Sequence, residues 1–229
     1  MKKLFLLWIF AGVSFSCSDE EKPTIYPQPN TVFKRVTLEA EGQESVYEFE
    51  YDSQKRISKI ICTNGFDGDY TMELSYDEQN RLSKRKLMEV GSSPRTITFK
   101  YNTQGQLSEV IDNAGDNMPF AYDASLDRYS VGLLDFSLDA DGDITFLEGA
   151  MPAYTTGKKT GTTALAPNYG LLCVFNDEYL MYVISKKPMA SMKFGNTTHS
   201  ADHTFNDDGY VTSTLVHLYS ANYEYQSIY

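Results

Sequence analysis

The sequence predicts an all-β domain: an antiparallel meander of roughly 12–14 strands, bent into a curved, barrel-like or half-barrel sheet. Three observations lead there. A ten-residue phrase is written three times, as YDSQKRISKI at 51–60, YDEQNRLSKR at 76–85 and YNTQGQLSEV at 101–110. The segments before each copy alternate apolar and polar residues with a period of two. The composition holds 17 Tyr and 13 Phe in 229 residues, and both favour half-buried pleated surfaces.

The first element is an export signal. Lys2 and Lys3 precede an apolar run from Leu4 to Val13, too short to span a bilayer, and small residues then lead to Cys17. The stretch resembles the lipobox of bacterial lipoproteins, with Ser14 and Phe15 departing from the strict pattern. The resemblance implies that residues 1–16 are removed and that Cys17 carries the lipid; an ordinary signal peptide is the alternative. SDEE behind Cys17 looks like a surface-export signal, and residues 17–31 read as a flexible, Pro-containing tether. A single β domain then fills 32–229.

Within that domain the repeated phrase reads as a hairpin turn. Tyr51, Tyr76 and Tyr101 are each followed by Asp52, Asp77 or Asn102, whose side chain is suited to bond a backbone N–H two residues on. Weaker copies start at Leu138 and Phe205. The fourth offset holds Lys55, Asn80, Gly105, Gly142 or Gly209, where a positive φ closes a type I turn with a G1 bulge. Lys55 is the costliest of the five, so the first turn is expected to be the weakest. The sixth offset holds Ile57, Leu82, Leu107, Ile144 or Val211, which returns the chain to the buried face. Tyr47, Phe49 and Tyr51 share one face, as do Met72, Leu74 and Tyr76, and Ile97, Phe99 and Tyr101.

These phrases resemble the tyrosine–aspartate repeats of bacterial wrapping proteins. Together with the lipobox and the length, they are similar to a Bacteroidetes lipoprotein family of unknown function with a porin-like fold. The resemblance implies a curved, barrel-like sheet and assigns no catalytic residue. An integral membrane barrel is the less favoured form. The apolar face is short, the aromatics recur beside the turns rather than in two girdles, and a lipid anchor would be redundant.

Further along, 112–136 holds a blurred strand pair, and 149–170 reads as the longest loop. LLCVFNDEYLMYVIS reads as strands about a turn at Asn176–Glu178, and PMASMKF as one helical turn. A final hairpin around Asp207, Asp208 and Gly209 spans 203–229. His199 and His203 have the spacing of a helical metal pair but lead into a strand, and His217 reads as a strand residue. Asp139–Asp143 resembles part of a calcium loop, though the hairpin phrase already explains its Asp and Gly residues. Cys62 and Cys173 lie in apolar runs, either as buried thiols or as a disulfide.

No GxSxG, HExxH or P-loop pattern occurs, so no catalytic residue, cofactor or metal is assigned. The formal net charge is −11, and removal of Lys2 and Lys3 leaves −13, which disfavours nucleic acid as a partner. The expectation is an outer-membrane lipoprotein, facing periplasm or cell surface, that serves as a binding or interaction module for a glycan, peptide or lipid. A carrier of apolar cargo is the alternative, and a hydrolase ranks behind both. The one Trp, Trp8, lies in the signal, which weighs against sugar stacking.

Overall fold

The computed structural model describes residues 31–65, 68–113, 119–139, 142–155, 171–172, 185, 187–217 and 219–227. The signal, Cys17 and the tether up to residue 30 fall outside these residues, as does Cys173, whereas Thr31, the last residue of the expected tether, already opens the first strand. Among the described residues there are sixteen strands, in chain order: β1 (Thr31–Ala40), β2 (Gln43–Tyr51), β3 (Ile57–Thr63), β4 (Tyr70–Tyr76), β5 (Leu82–Glu89), β6 (Arg95–Tyr101), β7 (Leu107–Asp112), β8 (Phe120–Asp123), β9 (Arg128–Val131), β10 (Leu134–Leu138), β11 (Ile144–Leu147), β12 (Ala150–Tyr154), β13 (Met189–Phe194), β14 (Thr197–Phe205), β15 (Val211–Val216) and β16 (Tyr219–Ser227). All pairings are antiparallel between chain neighbours, with one addition: β1 also pairs with β16. The first strand therefore joins the last, and the meander comes round into a nearly closed barrel whose two margins are β7 and β8.

The count exceeds the expected 12–14 because β8 to β12 are only four or five residues long. A period of two has no room to show in such short runs. PMASMKF is not a helical turn; Met189–Phe194 is a strand. A bulge beside Tyr154 leaves Ala190 without an opposite residue, so Met189 and Met192 are both buried three apart and imitate a helical spacing. Part of the expected loop, Ala150–Tyr154, is β12, while 156–170 lies outside the described residues. Leu171 and Leu172 are helical rather than extended, and both sit in the interior with no exposure. Residues 173–184 of that expected strand pair are outside the described residues, and Ser185 at its end is buried and not in a strand.

Alternation places the core on the inward face. Tyr47, Ile57, Ile60, Met72, Leu82, Ile97, Phe136 and Leu171 are fully or almost fully buried in one cluster. The outward face of β1 to β7 is charged. Arg35 meets Glu48 at 2.6 Å, Lys59 meets Glu50 at 3.0 Å, Lys86 meets Glu73 at 3.2 Å and Lys100 meets Glu109 at 2.8 Å, each across neighbouring strands. Exposed pairs of this kind contribute little stability, but they identify the face as wet. A lipid-facing wall would place each of these charges in hydrocarbon at a cost of several kcal/mol.

Candidate functional site

The residues singled out by the repeat form a row of turns along one end of the barrel. Asp52 Oδ1 accepts the N–H groups of Gln54 and Arg56, each at 2.9 Å. Asp77 repeats this with Gln79 at 3.0 Å and Arg81 at 2.8 Å, and Asn102 with Gln104 at 3.0 Å and Gln106 at 2.9 Å. Asp139 and Asn206 accept the N–H of Asp143 and Tyr210 in the same way. Each turn carries the expected positive φ: 64° at Lys55 and Asn80, 82° at Gly105, 83° at Gly142 and 80° at Gly209. The register shifts at Tyr51, Tyr76, Tyr101, Leu138 and Phe205, the bulge that the phrase predicts. Lys55 holds a conformation that costs a side chain about 1 kcal/mol. Lys55→Gly is therefore expected to raise stability by about 0.5–1 kcal/mol in urea unfolding, and an unchanged midpoint would count against strain at that turn.

Two layers of this site went unread in the sequence. The first is the tyrosine hydroxyl. In four of the five copies the carbonyl of the sixth-offset aliphatic accepts a hydrogen bond from a Tyr hydroxyl. Tyr76 donates to the Ile57 carbonyl, Tyr101 to Leu82 at 2.6 Å, Tyr154 to Ile144 at 2.8 Å and Tyr225 to Val211. Tyr51 opens the series by donating to the Phe33 carbonyl at 2.8 Å. Each ring thus packs against the core while its polar tip ties two strands together.

The second layer is a stack. The Arg56 guanidinium pairs with Asp52 at 2.6 Å, lies 4.3 Å from the Tyr76 ring centroid and donates to Asn80 at 2.8 Å. Arg81 pairs with Asp77 at 2.7 Å and lies 4.2 Å from the Tyr101 ring. In the third copy both partners become neutral, and Asn102 donates to Gln106 at 3.1 Å. That joint change from Asp–Arg to Asn–Gln was visible in the sequence and would have revealed the pairing. A double-mutant cycle should read it. Asp77→Asn and Arg81→Gln should each cost about 1–2 kcal/mol, and the double variant should cost about 1 kcal/mol less than their sum. Strict additivity would mean that the pair is not coupled.

The other candidates are dispersed. His199 and His203 share β14 but do not meet. The His203 ring nitrogens bond Thr214 Oγ1 at 2.9 Å and the Met189 carbonyl at 2.6 Å. Tyr223 donates to Thr214 Oγ1 at 3.2 Å, so the chain of donors places the His203 proton on Nε2. His199 instead stacks on His217 with centroids 4.1 Å apart, and His217 is a turn residue with φ 54° rather than a strand residue. Asp139 and Asp143 serve the hairpin, and Asp141 is outside the described residues. Burial pushes the Tyr223 hydroxyl up to about 12 and Tyr225 higher still. The interior also contains Arg85, fully buried between Leu74 and Ile97, where desolvation and the nearby Arg95 charge hold it down to about 10. Asp112, two strands away on β7, is bound by Arg95 of β6 at 2.6 Å. Cys62 is buried in the core at 1% exposure.

Comparison with known proteins agrees with the repeat. Residues 28–131 match the family described as Teneurin YD-shell, and that span contains all three full copies of the phrase. No curated protein matches the sequence. Among solved structures, a porin-like protein from Bacteroides uniformis ATCC 8492 aligns at 12% identity and a TM-score of 0.42, covering 88% of this chain and 100% of its own. A porin-like protein from Bacteroides vulgatus ATCC 8482 aligns at 12% identity and 0.40, covering 86% and 100%.

Proposed function

We propose that the protein is a lipid-anchored bacterial envelope lipoprotein whose barrel wall works as a non-catalytic binding or interaction module in water. The observation that carries this reading is the division of the wall: cross-strand ion pairs outside, one apolar cluster inside. A wall with that outer face stands in water, so attachment to the membrane has to come from elsewhere in the chain. Cys17 in MKKLFLLWIFAGVSFSC supplies it, and residues 18–30 connect it to Thr31, which opens β1 at the same end as the tyrosine turns. The cargo-carrier alternative has less support, because Leu171 and Leu172 already occupy the interior.

Envelope fractionation with palmitate labelling tests the anchor. Wild-type protein is expected in the membrane fraction with label, and Cys17→Ala in the soluble envelope fraction without it. Membrane retention of Cys17→Ala would overturn the lipid-anchor reading. Calorimetric screens of envelope glycans and peptides test the binding role; native mass spectrometry that shows bound lipid inside the barrel would favour the carrier instead.

A further inference from the structure

The imidazoles of His199 and His217 meet at the rim of the barrel remote from the tyrosine turns, and the strand pattern explains why. His199 lies opposite Met192, whose side chain is fully buried, so its ring is on the inner side of β14. His217 follows Val216, which lies opposite Ala201. A continued strand would send residue 217 to the outer face. Its φ of 54° turns the chain instead, and the ring comes to lie against His199. The centroids are 4.1 Å apart, the planes are 28° from parallel, and the Phe194 ring stands 6.5 Å from His199. His199 is half-buried and His217 exposed, so water reaches the pair.

The hydrogen-bonding capacity of these two rings is unspent. His203, the remaining histidine of the three in the chain, has both ring nitrogens bonded to protein. Among the described residues, neither ring of the pair has a hydrogen-bond partner. Neutral imidazole is the commonest metal ligand in proteins and suits borderline divalent ions. No group of three or more His, Cys, Asp or Glu suited to a metal occurs among the described residues, so two nitrogens are what the chain offers an ion here. Closed structural sites take four protein ligands and catalytic zinc sites three. Two leave most positions to water, which suits an ion that exchanges.

We propose that His199 and His217 form an open site for an exchangeable borderline divalent ion, with Cu²⁺ held most tightly. The exposed His217 is the partner that adjusts. Rotation about its side-chain bonds turns one nitrogen of each ring towards a shared ion, at the roughly 2 Å of an imidazole–metal bond. The bound ion then ties the end of β15 to β14. The site is independent of the lipid anchor and of the ligand class that the wall takes.

Calorimetric titration of the untagged mature chain with CuCl₂, NiCl₂ and ZnCl₂ is the test. One Cu²⁺ per chain is expected, bound more tightly than Ni²⁺ or Zn²⁺. His199→Ala and His217→Ala should each weaken Cu²⁺ binding about tenfold or more. The electron paramagnetic resonance spectrum of the wild-type complex should carry hyperfine structure from two imidazole nitrogens. The site is overturned by failure to bind one Cu²⁺ per chain, by full-strength binding in either variant, or by a spectrum with fewer than two imidazole nitrogens. If a variant does not fold, the wild-type spectrum decides alone, because His203 already has both nitrogens bonded.

Discussion

Phe33→Ala is expected to cost about 3–5 kcal/mol, a large part of the roughly 5–15 kcal/mol that holds a domain together. The ring has no exposure and lies 5.8 Å from Phe49, 5.4 Å from Tyr223 and 5.4 Å from Tyr225, measured between centroids. Those neighbours come from β2 and β16, so this one side chain packs the strand that joins the start of the chain to its end. Its carbonyl also receives the Tyr51 hydroxyl at 2.8 Å. Truncation leaves a cavity among rings that a nearly closed wall cannot collapse into. Urea unfolding should show a sharply lower midpoint, with Phe33→Leu losing about 1–2 kcal/mol as a volume-sparing control. Leu133→Ala, at a side chain 97% exposed, should stay within about 0.5 kcal/mol. A loss below about 1 kcal/mol for Phe33→Ala would show that β1 does not close against β16 in solution.

Gly65→Ala is expected to be nearly as damaging, for a steric reason. A Cβ there would stand 2.5 Å from the Gly68 carbonyl oxygen and 2.9 Å from Cys62 Sγ. The first contact is with backbone, in a turn closed by the Gly68 N–H to Gly65 carbonyl bond at 2.9 Å. The turn cannot shift freely, because Gln43 Nε2 donates to the carbonyls of Asn64 and Gly65 at 3.0 and 3.1 Å. Overpacking against such a frame costs about 3 kcal/mol, or a melting temperature lower by roughly 6–12 °C. Gly42→Ala separates crowding from backbone strain. Gly42 has φ 80° and nothing within 4 Å of a built Cβ, so the loss there should be about 1 kcal/mol and 2–4 °C. Equal losses at both positions would refute the steric account of Gly65.

The two glycines mark what a local stretch of sequence can show and what it cannot. Gly42 sits in a two-residue turn between alternating strands, a pattern open to inspection. Nothing in TNGFDG announces that Gly65 is pinned by Cys62 and by Gln43 from another strand. The same boundary runs through the repeat. The bonds from Asp52, Asp77 and Asn102 span two to four residues, and they were legible; the reach of Tyr76 to Ile57 and of Arg56 to Tyr76 spans 19 and 20 residues, and it was not. Ala190 shows a further limit, since one bulged residue converted a strand period into an apparent helical one.

By itself the sequence determined the all-β class, the five turns with their positive φ, the inward row of Tyr51, Tyr76 and Tyr101, and the acidic character of the chain. These follow from side chains acting on backbone a few residues away, and from a period of two that reports which face is dry. Only the tertiary structure decided that β1 closes on β16, that β7 and β8 meet without a ladder, and that Arg85 lies in the interior. Those outcomes depend on strand length, twist and bulges accumulated over sixteen strands, a sum that no local stretch of the chain carries.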